Sequence, residues 1–112
     1  MMTGALILHA DGTRMEREVE LAPNPRYSEL RASIRALLVL GSAYPEHVTV
    51  LHEGRQADMF VHEDGHGAGL PRNEAATAIY RAAWLREHPG HDPETLPCIA
   101  GPAVIFDRIV WS

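Results

Sequence analysis

Residues 62–66 of this 112-residue chain read His-Glu-Asp-Gly-His, which satisfies the H-E-x-x-H spacing of zinc metallopeptidases. That spacing does chemistry only on a helix. Histidines four apart then lie one turn from each other and reach the same metal, while the glutamate polarises the bound water. The neighbouring residues remove the helix. A strand-like run, Ala-Asp-Met-Phe-Val at 57–61, leads in, Asp64-Gly65 is a turn dipeptide, and Gly67, Gly69 and Pro71 follow at once. The spacing therefore predicts no zinc site and no peptidase. A second metal reading gathers His88 and His91 from a loop with His47 and His52 from a strand. It lacks a thiolate pair and any ligand-like spacing, so these imidazoles read as scattered surface histidines, and no metal or cofactor is expected.

The same stretch carries a second kind of chemistry. Residues 65–73, GHGAGLPRN, lead from a strand into a helix N-terminus, where free N–H groups, the helix dipole and Arg72 would favour an anion. The pattern lacks the Gly-Lys-Ser/Thr ending of a phosphate loop and is not the G-x-G-x-x-G fingerprint of dinucleotide sites. The alternative is a tight connection whose glycines permit the bend. Asn73 reads as the helix N-cap, a role that aspartate or serine would fill nearly as well.

Residues 4–10 form a short apolar run, Asp11-Gly12 supplies a hairpin turn, and residues 13–21 alternate as a strand with one wet face. Asn24 and Pro25 fit the cap and first position of a helix whose apolar stripe is Tyr27, Leu30, Ile34, Leu37 and Leu38; Arg31 and Arg35 take the opposite face and Gly41 ends it. Residues 47–52 and 57–61 make a second hairpin around Glu53-Gly54-Arg55. A second helix begins at Asn73, runs Ala76, Ile79, Tyr80 and Ala83 along one face with Trp84 at its margin, and ends near Glu87. A Pro- and Gly-rich loop, 88–97, precedes a β-prone run, 103–111, suited to a central strand. The expected order is ββ-α-ββ-α-β: one α+β domain over residues 1–112, a mixed, mostly antiparallel sheet with both helices packed on one face.

Bulk composition narrows the function. The net charge of −5 argues against non-specific nucleic-acid binding, and all ten basic residues are arginine. Cys98 is the single cysteine, so no internal disulfide forms and a reducing cytoplasm is the expected setting; a lone cysteine reads as a small buried hydrophobe. No basic leader and no apolar run of membrane-spanning length is present, so no membrane partner is expected.

Glu63-Asp64-Gly65, then Gly69-Leu70-Pro71-x-Asn73, then Ile99-x-Gly101 resemble the marks of a family of small phage, plasmid and bacterial proteins known as domain of unknown function 3846. The resemblance covers about the last 60 residues. His62 and His66 depart from it, standing where the family tends to Asn and Lys. It implies a phage or mobile-element setting and supplies no reaction. The leading expectation is a small non-enzymatic binding module that contacts a host protein or a small anionic ligand through His62, Glu63, Asp64, His66, Gly69, Leu70, Pro71, Arg72 and Asn73. The alternatives are a small hydrolase or nucleotide-processing enzyme using the loop histidines, and a homo-oligomer, a homodimer for instance, whose terminal strand pairs edge to edge with Trp111 in the interface.

Overall fold

The structure, a computed structural model, describes residues 1–38, 40 and 43–111. Its elements are β1 (Met2–Leu8), β2 (Arg14–Glu20), α1 (Tyr27–Leu37), β3 (Pro45–His52), β4 (Arg55–His62), α2 (Glu74–Glu87), a 3-10 turn at Pro93–Thr95, and β5 (Ala103–Phe106). The order ββ-α-ββ-α-β and the α+β class stand as read from the sequence. One sheet runs β2-β1-β5-β4-β3, and each pairing in it is antiparallel, so the sheet is not mixed. No helix among the described residues is long and apolar enough to cross a membrane.

The helices do not share a face. Leu30 and Ile34 of α1 pack with Ala5, Ile7, Phe60, Val104 and Phe106. Ala76 of α2 packs with Leu8, Val50, Met59, Val61, Ala103 and Ile105, with Ile79, Tyr80 and Ala83 half-buried beside them. Successive strand residues point to opposite faces; residues 5–8 of β1 and all of β5 are apolar on both, and β4 sends Phe60 one way and Ala57, Met59 and Val61 the other. Either face left bare would expose several large side chains, each worth roughly 1.5–3 kcal/mol on burial, so both faces need a helix.

Three boundaries also move. Arg26, not Asn24, is the residue before α1, with no side-chain cap, and Pro25 lies outside the helix. Leu38 closes that helix in extended geometry, its N–H bonded to Ile34 O; Gly41 lies outside the described residues. The terminal run forms a strand only over Ala103–Phe106, centrally between β1 and β4. After it the chain is turned aside. Asp107 accepts from Gly4 N at 2.9 Å, and the fully buried Asp58 accepts from Val110 N and Trp111 N at 2.8 and 3.0 Å. A central strand has no free edge, which removes the oligomer built on terminal-strand pairing. Trp111 stacks within the chain, 5.0 Å from the Tyr27 ring and 5.2 Å from the His47 ring.

Candidate functional site

The site begins where β4 ends. His62 is the last residue of that strand and residues 63–69 are a run of turns, so His62 and His66 have no helix to align them. The two imidazoles are engaged separately: His62 Nδ1 accepts from Asp64 N at 3.0 Å, and His66 Nε2 lies 2.7 Å from Cys98 O. Among the described residues no three His, Cys, Asp or Glu side chains are grouped to hold a metal ion. His88 stacks on Trp84 at 3.7 Å, His91 bonds Thr95, and His47 bonds Asp58 at 2.6 Å, which gives each a partner away from the 62–66 turn.

The turn is fixed by its own backbone. Glu63 N donates to Tyr44 O, and Glu63 Oε1 accepts from Tyr44 N at 3.0 Å. Ala68 N bonds Asp64 O, Gly69 N bonds His66 O, and Leu70 N returns to Gly65 O at 2.9 Å. Gly65 is buried with its Cα against the Ala100 carbonyl, where any Cβ would overlap backbone that cannot move aside. Glycine is thus required there by a close approach of two chain segments.

Beyond Gly69 the loop becomes a seam. Gly101 N donates to Pro71 O at 2.8 Å, Arg72 and Ala100 form an antiparallel bridge, and Asn73 N donates to Ile99 O at 2.7 Å. Leu70 covers Gly101, whose φ of +88° puts it in the left-handed region. The two sequence marks G-L-P-x-N and I-x-G are therefore the two sides of one backbone ladder. Asn73 locks it. Its Oδ1 accepts from Ala76 N at 3.1 Å as the N-cap of α2, and both Nδ2 protons are spent, on Leu8 O and Gly101 O, each at 2.9 Å. Asn73 is fully buried.

Two expectations for Asn73 are corrected here. Asn73 has neither surface nor free hydrogen-bonding capacity for a ligand, and aspartate cannot replace it because aspartate has no N–H to give Leu8 and Gly101. Arg72 is half-exposed and ion-paired with Glu74 at 2.7 Å. Pro71 and Leu70 serve the seam, by its carbonyl and by its cover over Gly101 respectively.

What remains exposed does converge. His62, Glu63, Asp64 and His66 line a cleft of about 190 Å³ with Glu46, Val48, Tyr80 and the 97–100 strip that includes Cys98. Sequence reasoning missed the far wall, which a polar stripe along α2 holds in place. Thr77 Oγ1 accepts from Ile99 N at 2.9 Å, and Arg81 donates to Leu96 O at 3.0 Å and lies 3.6 Å from Cys98 Sγ. Asn73, Thr77 and Arg81 recur every four residues, so the stripe was visible as three polar residues on one helical face. A larger concavity, about 590 Å³, lies over Gly4, Leu6 and Ile105 on sheet that neither helix covers. Its rim mixes Glu16, Glu18, Glu53 and Asp107 with Arg17 and Arg55, and no residue of the 62–73 stretch reaches it. Compared with family models, with curated proteins and with solved structures, the chain matches none.

Proposed function

We propose that the chain is a small binding module of phage or mobile-element origin that holds a protein partner in the cleft between the 62–69 turn and the 97–100 strip. The observation that carries this reading is a division of labour. The backbone of the turn is bonded within the protein, while the side chains of His62, Glu63, Asp64 and His66 line an open cleft. A turn held in its final shape binds without first having to be ordered. Three carboxylates, Glu46, Glu63 and Asp64, line the cleft together with Tyr80, which suits a basic or polar peptide segment better than an anion. No nucleophile–base pair is formed there: His66 faces the carbonyl of Cys98, and the thiol faces Arg81. The mobile-element setting is supported by the resemblance in G-L-P-x-N and I-x-G alone.

An amide-resolved NMR titration tests the reading with two probes, an arginine-rich peptide and pyrophosphate. The expected result is peptide-induced shifts confined to residues 62–69 and 97–100, with pyrophosphate silent. Shifts of Arg72 to Glu74 with pyrophosphate alone would replace the peptide by an anion, and no response to either probe would overturn the cleft as a binding site.

A further inference from the structure

We propose that β3 and α2 form a groove that takes an extended segment of a partner protein as a sixth strand, with a basic residue of that segment seated among Glu46, Glu63 and Asp64. The inference rests on the binding-module reading and specifies its mode.

The two edges of the sheet are unlike. The β2 edge carries Arg14, Glu16, Arg17, Glu18 and Glu20 within seven residues, a density of charge that discourages strand addition. The β3 edge carries Val48-Thr49-Val50-Leu51, with no charge between His47 and His52. Its unpaired groups can be assigned. Glu53 and Gly54, with φ of 51° and 81°, form the two-residue turn that closes His52 and Arg55 as a hydrogen-bonded pair. Antiparallel ladders alternate, so Val50, Val48 and Glu46 also bond to β4, while His47, Thr49 and Leu51 direct N–H and C=O outward. The bond from Glu63 N to Tyr44 O continues the same alternation one step beyond the strand. No loop residue among those described bonds to the outward groups of 47, 49 and 51.

Beside this edge lies a groove of about 300 Å³ between residues 48–51 and Tyr80, Ala83 and Trp84 of α2. Val48 and Tyr80 line both this groove and the acidic cleft, so the two run together along β3. An added strand would satisfy the outward backbone groups and place alternate side chains between Val48 or Val50 and the helix, which favours β-branched residues. Charge then sets the register. One end of the channel holds Glu46, Glu63 and Asp64; at the other, Arg86 and Glu87 offset each other. A basic residue belongs at the acidic end.

The test uses an octapeptide of alternating valine and threonine ended by arginines, and compares it with the same peptide N-methylated at one set of alternate amides, then at the other. One N-methylated form should bind at least tenfold more weakly, and glutamate in place of the arginines should have a similar effect. The amides of Thr49 and Leu51 should gain at least tenfold protection from hydrogen exchange on binding. Thr49→Pro removes an outward N–H, a position where an edge strand tolerates proline, and should weaken binding tenfold. Equal binding of all three peptides, with shifts confined to 62–69, would overturn strand addition and leave the binding-module reading standing. No binding of the octapeptide while the arginine-rich peptide still shifts the 62–69 turn would do the same. Silence of both peptides would overturn both readings.

Discussion

Asn73 meets a demand that no other residue type meets: one acceptor for the first turn of α2 and two donors for buried carbonyls on opposite sides, all from one short side chain. Alanine removes the cap, worth about 1 kcal/mol, and leaves Leu8 O and Gly101 O unpaired in a buried place. Together these predict a loss on the order of 3 kcal/mol, seen as a fall in melting temperature on the order of 10 °C. Serine restores the cap alone and should recover about 1 kcal/mol. Aspartate keeps the cap oxygen but turns a carboxylate toward two carbonyls, so Asn73→Asp should melt no higher than Asn73→Ala. Near-native melting of Asn73→Asp would show that the two amide bonds contribute little, and the seam would then have to be held by its backbone ladder.

At the scale of elements, local chemistry was legible and long-range chemistry was not. The hairpins could be placed from Asp11-Gly12 and Glu53-Gly54, and the second helix from Asn73 to Glu87, because turn and cap signals act within a few residues. That α1 and α2 lie on opposite faces was also legible in principle. Leu6 and Leu8 alternate with Ala5 and Ile7, and only a strand covered on both sides is apolar at every position. What could not be read was Asn73 bonding to Leu8, 65 residues away, or the 62–69 turn facing Cys98, because such pairs leave no periodic trace in one sequence. The first hairpin shows how local signals translate into a measurable property. Asp11 Oδ1 accepts from Thr13 N at 2.8 Å, and this backbone bond holds the Asp11 carboxyl below its ordinary value of 3.8. A depressed carboxylate contributes stability above the unfolded pKa and loses it as pH falls through the folded one. The Asp11 carboxyl carbon, followed by NMR, should therefore titrate below 3.8, and the hairpin should loosen in acid only below that point. Titration at or above 3.8 would mean the turn gains nothing from the charge.

For the molecule as a whole, the C-terminal segment is tied to the sheet mainly at Asp58. This carboxylate sits fully buried on β4, 2.6 Å from His47 Nε2 and bonded to Val110 N and Trp111 N. The Asp58 amide also donates to Arg108 O. Val110 is thereby set into the core beneath α1, and Trp111 against Tyr27 and His47. A buried carboxylate is tolerated only while its donors are present, since an unpaired buried charge is destabilising by about 3–5 kcal/mol. Removing either side alone should therefore hurt more than the interactions themselves are worth. Asp58→Ala should free the tail, so that the Val110 and Trp111 amides exchange like those of an unstructured chain, and should lower stability by about 3 kcal/mol. A chain ending at Arg108, with Asp58 intact, should lose at least as much, because it keeps the carboxylate and lacks two of its donors. Combining the two changes removes both the charge and the groups that answered it. The double variant should be more stable than the sum of the single losses implies by at least 1 kcal/mol, which urea unfolding of the four chains measures. Strict additivity would show that the tail is held by Val110 and Trp111 through packing alone, with Asp58 bonded to them but not responsible for their place.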